Sequence, residues 1–287
     1  MEQQAIRRLA QLCSTAVLLL ALTSASADTG RLRRVQIPSA AIGTAPHALI
    51  ALPPADRTPA GSLYLLHGAG CDPDTWRQIC NLQALAGSIR RVIIVPSPGP
   101  HSWYIDSPTT AGVAAASFLV DELVPHVDRM HPAAARSRWI SGFSMGGYGA
   151  LRIGLANPHV FSAVGALSPC ITPSRWKGKW HLDEMMGPAR ATGGYDLLDQ
   201  TAAAALAHAG ERQALSIVCG RFDFFYPENA DLHSRLTNAG VTHHWWAPVG
   251  WHTIDFWARA LPTQVRYLEA REAMLRPPLR KPAEDGQ

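Results

Sequence analysis

The chain has 287 residues, of which 47% are hydrophobic and 17% charged, with a formal net charge of +4. That length supports one large domain with a substantial core, or at most two small ones. So modest a charge leaves no electrostatic footprint for nucleic acid.

In chain order, the first segment has the pattern of an export signal. Arg7 and Arg8 give a positive start, an apolar run extends from Ala16 to Leu22, and Ala25-Ser26-Ala27 is an A-x-A cleavage site. Residues 1–27 are therefore assigned to a signal peptide, the mature chain is expected to begin at Asp28, and the protein is expected in the periplasm or outside the cell. The apolar run is too short to span a bilayer comfortably. Nothing later is apolar for long enough, so no stable membrane insertion is expected after cleavage. Cleavage removes Cys13 and leaves Cys71, Cys80, Cys170 and Cys219 in an oxidising compartment. Cys71 with Cys80 is the first expectation for a bridge, because both lie in one loop-plus-helix segment. Cys219 lies in an apolar strand and can equally be a small core residue. No C-x-x-C pair occurs, so no zinc site is expected.

Eight segments read as strands. Arg34–Ile37 and His47–Leu52 look like an antiparallel opening. Ser62–Leu66, Arg91–Val95, Trp139–Ser141, Ser162–Leu167 and Leu215–Cys219 follow, mostly as continuous apolar runs, the mark of strands covered on both faces. Thr242–Pro248 reads as a last strand. Between them, Ala114–Met130, Ala230–Asn238 and Ile254–Glu272 show helical spacing. Strands alternating with helices predict an α/β domain over residues 28–275, with a mostly parallel central sheet and helices on both faces. Residues 170–200, with Trp176, Trp180, Gly187, Pro188, Gly193 and Gly194, break the rhythm. They follow a strand, so they lie above the carboxyl edge of the sheet, as a small cap or lid or as a plain surface excursion. The tail, residues 276–287, is Pro-rich and charged and reads as disordered.

The most informative stretch is Gly142-Phe143-Ser144-Met145-Gly146-Gly147, a G-x-S-x-G motif between a short strand and the helical pattern Gly149–Ala156. A serine on such a tight strand-to-helix turn projects its hydroxyl above the sheet. Glycines on either side allow close backbone approach, and the start of a helix aims free N–H groups at the same point.

A serine hydroxyl needs a base to become a nucleophile. In α/β-hydrolases the chain order is Ser, then Asp or Glu, then His. Asp223 follows the strand ending at Cys219, and His252 lies in Gly250-Trp251-His252 before the last helix. They are the expected acid and base, with a turn or N-cap role as the structural alternative for Asp223. His243 and His244 are adjacent on a strand and point to opposite faces. His208 lies on an Ala-rich helix. Glu228, Asp231 and Asp255 are the rival acids. An oxyanion hole needs two backbone donors. They are expected from Met145, after the nucleophile, and from the loop His67-Gly68-Ala69-Gly70, with Ala69 ahead of Gly70. His67 is expected to hold that loop by a hydrogen bond.

Five stretches together resemble the esterase D branch of the α/β-hydrolases. They are Tyr64-Leu65-Leu66-His67-Gly68 with Trp76; Ser102-Trp103-Tyr104-Ile105-Asp106; Ser141–Ala150 continuing through Asn157-Pro158 and Phe161 to Leu167-Ser168; Cys219–Phe224; and Gly250-Trp251-His252 with Trp257. The branch includes S-formylglutathione hydrolases, tributyrin and feruloyl esterases, and mycolyltransferases. The resemblance spans roughly residues 45 to 270. It implies an α/β-hydrolase fold with a triad of Ser144, Asp223 and His252, and places Trp103, Tyr104 and Asp106 near the site, with core packing as the alternative for Trp103. An export signal sets the chain apart from the cytosolic S-formylglutathione hydrolases.

The expected function is an exported serine carboxylesterase working through an acyl-enzyme, without metal or organic cofactor, on a small-molecule, glycan or lipid ester. The alternative is an acyltransferase of the mycolyltransferase type, which hands the acyl group to a sugar or lipid hydroxyl. Trp103, Tyr104 and Trp251 are the expected substrate contacts. Trp176, Trp180, Trp245 and Trp246 join Trp251 as candidates for an aromatic cleft or for core and cap packing.

Overall fold

The computed structural model describes residues 32–207 and 213–275. Residues 1–27, expected to be a signal peptide, the tail 276–287 and His208 lie outside the described residues. Eight strands form one sheet: β1 (Leu32–Gln36), β2 (His47–Ala51), β3 (Gly61–Leu66), β4 (Arg91–Pro96), β5 (Arg138–Phe143), β6 (Ala163–Leu167), β7 (Ala214–Val218) and β8 (His244–Trp246). Their spatial order is β1-β2-β4-β3-β5-β6-β7-β8. The β1–β2 and β2–β4 pairs are antiparallel, and every later pair is parallel. This is the α/β-hydrolase arrangement expected from the sequence.

Every residue of β3, β4, β6 and β7 is buried. Successive side chains point to opposite faces, so one run feeds two cores. Tyr64, Leu66, Ile94, Ile140 and Val164 belong to one core, and Leu63, Leu65, Ile93, Trp139 and Ala163 to the other. On the second face pack α1 (Thr75–Ile79), α2 (Leu82–Ile89) and the long C-terminal helix Ile254–Leu275. On the first pack α3 (Val124–Met130), entered through a π-helical stretch Phe118–Leu123, then α4 (Met145–Ala156) and the helix Tyr226–Asn238.

Several boundaries differ from the sequence reading for physical reasons. Helix α4 starts at Met145 rather than Gly149 and contains four glycines, at positions 146, 147, 149 and 154. Glycine lowers helix propensity, but here close packing demands it. A Cβ on Gly146 would stand 2.1 Å from the Leu66 carbonyl oxygen, and one on Gly149 would meet the Tyr104 ring at 2.6 Å. The helix Tyr226–Asn238 starts before Ala230 because Pro227 falls in its first turn, where no N–H is needed. The last strand is only three residues long, His244–Trp246. His243 and His244 do face apart: His243 Nε2 pairs with His233 Nδ1 at 2.8 Å, and His244 Nδ1 with Ser216 Oγ at 2.9 Å.

Residues 170–200, expected as a cap or as a plain surface excursion, hold α5 (Leu182–Met186) and a short helical turn Pro188–Ala191, and lead into α6 (Leu198–Ala207). The segment is tied down at several points. Glu228 accepts from Ile171 N at 2.7 Å and from the Thr172 hydroxyl. Trp103 Nε1 donates to Trp180 O at 3.0 Å, and Ser107 Oγ to Met185 O at 2.7 Å. Leu182 and Met186 are buried in the first core.

The disulfide expectation is corrected. Cys71, Cys80, Cys170 and Cys219 are all free thiols. Cys71 and Cys80 instead pack against the second core, and burial pushes the Cys80 thiol up to about 12.

At the amino edge of the sheet, Arg91 and Glu272 form a buried ion pair at 2.7 Å. Glu272 also accepts from the Ser137 hydroxyl and, at 2.6 Å, from that of Ser162. The end of the C-terminal helix is thereby fastened to β4 and to the residues preceding β5 and β6.

Candidate active site

Parallel register brings the carboxyl ends of the central strands level. Leu66 pairs with Gly142, Phe143 with Leu167, Leu167 with Val218, and Val218 with Trp246. The loops after β3, β5, β7 and β8 therefore leave the sheet on one edge, carrying residues from four distant parts of the chain to one place.

Ser144 is the hinge between β5 and α4, at φ 56° and ψ −121°. A non-glycine residue at positive φ is strained and persists only where its surroundings impose it. Here the turn is clamped: Ser144 N donates to Leu167 O at 2.9 Å, and a Cβ on Gly142 would lie 2.3 Å from the Gly146 carbonyl oxygen. The hydroxyl is thus held up from the sheet, with Ser144 Oγ 3.0 Å from His252 Nε2.

The β7 and β8 loops are laced together by Arg221 N to Pro248 O and Phe222 N to Gly250 O, both 2.9 Å. Gly220 is required at this crossing, since its Cβ would fall 2.3 Å from the Gly250 carbonyl oxygen. The crossing sets His252 Nδ1 2.9 Å from Asp223 Oδ2. The other carboxylate oxygen accepts from Phe225 N at 2.9 Å, and the Asp223 side chain is wholly buried. An ionised carboxylate only accepts, so Nδ1 carries the proton and Nε2 is left as the acceptor facing the Ser144 hydroxyl. Phe224, Phe225 and Trp257 surround the imidazole at centroid distances of 4.4, 5.1 and 4.9 Å.

Met145 opens α4, so its N–H has no intrahelical acceptor. In the β3 loop, Gly70 N donates to Pro100 O at 2.8 Å, which engages the alternative donor, while Ala69 N–H has no partner among the described residues. A Cβ on Gly68 would touch Ser144 Cβ at 3.4 Å, so this loop abuts the serine. His67 Nδ1 donates to Gly68 O at 3.0 Å, and burial lowers its pKa and keeps the ring neutral.

Trp103 and Tyr104 are not substrate contacts in this structure, because both are enclosed, at 1% and 0% exposure. They brace the loops instead. Tyr104 OH accepts from His67 N at 2.9 Å and donates to His67 O at 3.3 Å. Asp106 caps a helix start, accepting from Ala116 N and Ser117 N at 3.1 and 3.0 Å. Trp251 is exposed beside His252. Trp176 and Trp180 pack against Phe224 and Phe225. Trp245 stacks on His233 and Trp246 joins the second core, so neither faces the site. Among the rival acids, Glu228 holds the start of the 170–200 segment through Ile171 N, and Asp231 pairs with Arg235 at 3.3 Å. The sequence reading passed over Phe222 and Phe224 as site residues. Their signal was two phenylalanines flanking Asp223 in a turn, where no core position explains them.

The Esterase family model, described as "Putative esterase", matches residues 39–268. The chain belongs to this esterase family. An acetyl esterase of Caldicellulosiruptor saccharolyticus is 26% identical over 222 residues, covering 72% of this chain and 82% of that protein. Among solved structures, an S-formylglutathione hydrolase of Staphylococcus aureus is similar with a TM-score of 0.70 and 23% identity, covering 83% of this chain and 98% of that one. A ferulic acid esterase is similar with a TM-score of 0.69 and 20% identity, over 83% and 98% of the two chains. This chain is accordingly an esterase on an α/β-hydrolase fold.

Proposed function

We propose that this esterase is an exported serine carboxylesterase in which Ser144 is the nucleophile, His252 the base, and Asp223 the group that orients the imidazole. The observation that carries the reading is the unbroken hydrogen-bonded line from Asp223 Oδ2 through His252 to Ser144 Oγ, at 2.9 and 3.0 Å. Ser144 Oγ attacks the ester carbonyl as His252 Nε2 takes its proton. The negative charge on the carbonyl oxygen is held by the N–H groups of Met145 and Ala69, which need no reorganisation because the helix start and the β3 loop already present them. Collapse returns the proton from Nε2 to the leaving alcohol, and water repeats the sequence on the acyl-enzyme. The name of the acetyl esterase relative favours a short acyl group. Export rests on Arg7, Arg8, the run Ala16 to Leu22 and Ala25-Ser26-Ala27. None of the described helices is long and apolar enough to cross a membrane.

The test is hydrolysis of p-nitrophenyl esters from acetyl to palmitoyl by exported protein and by Ser144→Ala. The expected outcome is activity highest at short chains, a loss of about 10⁴-fold or more in the variant, and an N-terminus at Asp28 by mass. Equal activity of the two proteins overturns the nucleophile, and an uncleaved N-terminus overturns export.

A further inference from the structure

Six large apolar side chains are strongly exposed among the described residues, and four of them lie on the two loops that carry Asp223 and His252: Phe222, Phe224, Val249 and Trp251. Phe222 and Trp251 stack with centroids 5.2 Å apart and planes at 29°. Phe224 stacks on Trp180 of the cap at 6.1 Å and 18°, and lies 4.4 Å from the His252 ring. Exposed apolar surface gathered in one place marks a binding surface. The backbone bonds between the loops hold these rings in place before any ligand arrives, which lowers the ordering cost of binding.

We propose that Phe222, Phe224 and Trp251 form a shelf for the alcohol half of the ester, and that the preferred substrates are esters of apolar, planar alcohols. This rests on the triad reading above. With the carbonyl oxygen at the Met145 and Ala69 N–H groups, the leaving oxygen must reach His252 Nε2 to receive its proton. The group bonded to that oxygen then passes over the imidazole and onto the rings beside it, while the acyl group extends from the other side of the carbonyl carbon. The step balances. The Ser144 Oγ–carbon bond forms, the carbon–alkoxy bond breaks, and the proton from Oγ ends on the departing alcohol.

The experiment compares kcat/KM for naphthylmethyl acetate and ethyl acetate, which share an acyl group and have unactivated alkyl alcohols of similar intrinsic reactivity. The wild type is expected to favour the naphthylmethyl ester at least about tenfold. Trp251→Ala and Phe222→Ala are each expected to lower that ratio about tenfold, about 1.4 kcal/mol, chiefly through KM. Both side chains are more than half exposed, so folding is not at stake. An unchanged ratio in both variants overturns the shelf. If ethyl naphthoate rather than the naphthylmethyl ester depends on these residues, the assignment to the alcohol half is overturned. Calorimetric binding of naphthylmethanol separates this inference from the triad reading. Binding weakened by Trp251→Ala supports the shelf even in a protein without hydrolysis, and no binding to the wild type overturns it.

Discussion

At the amino edge of the sheet, polar groups are buried and satisfied. Arg91 and Glu272 pair at 2.7 Å, Ser137 and Ser162 donate to the same carboxylate, and the guanidinium lies 3.5 Å over the Trp139 ring. At the carboxyl edge the opposite holds: Ser144 sits at φ 56°, the Met145 N–H has no intrahelical acceptor, and aromatic rings face solvent. One fold thus divides its tasks. The satisfied edge carries stability, while strained and unpaired groups gather at the other, where chemistry needs them.

The largest stability effect is expected at the amino edge. Glu272→Ala leaves Arg91 buried without its carboxylate and should cost about 3–5 kcal/mol in chemical denaturation, while kcat of the folded protein stays unchanged. A fall in kcat as large as that of a site mutation would break the division. The same pair predicts a pH effect. Burial acts to raise the Glu272 carboxyl, but Arg91 and the serine hydroxyls outweigh it and hold the group below its ordinary 4.5. The stabilisation is therefore complete above 4.5 and lost as pH falls through the depressed folded value. Glu272→Gln should flatten that part of the stability curve.

Next in size is Gly146→Ala. Its Cβ would meet the carbonyl oxygens of Leu66 and His67 at 2.1 and 2.8 Å, both backbone atoms that cannot step aside cheaply. A loss of about 3 kcal/mol, at the upper end for overpacking, is expected together with lost hydrolysis. An active, fully stable variant would show that the close approach is dispensable. The smallest effect is expected for Tyr104→Phe. It leaves His67 N–H buried without its acceptor, at about 1–3 kcal/mol. Because that residue supports the Ala69 loop, kcat should also fall, by roughly tenfold, with little change in KM. Together these variants sharpen the contrast: stability alone moves at one edge, and stability with rate moves at the other.

Much of this was legible beforehand. Apolar runs marked the buried strands, and Ser144, Asp223 and His252 stood out because each follows a strand in the order Ser, Asp, His. Other features were not legible. The need for the early glycines of α4 was one, because helix propensity is local whereas the demand for a missing Cβ comes from Leu66 and Tyr104. The family resemblance places Trp103 and Tyr104 near the site, yet both side chains are enclosed. Cys71 and Cys80 are near in sequence, which says nothing of whether their side chains meet.

The sequence by itself determined the strand succession, the elbow motif and the residues able to carry the chemistry, since these depend on local period and on turns with few solutions. Only the tertiary structure decided that Gly220 and Gly250 cross to bring Asp223 to His252, that Gly70 N–H is occupied while Ala69 N–H is open, and that Phe222 and Trp251 stack in solvent. Each of these depends on contacts between segments far apart in the chain, where a side chain's neighbours are set by packing and not by its own sequence.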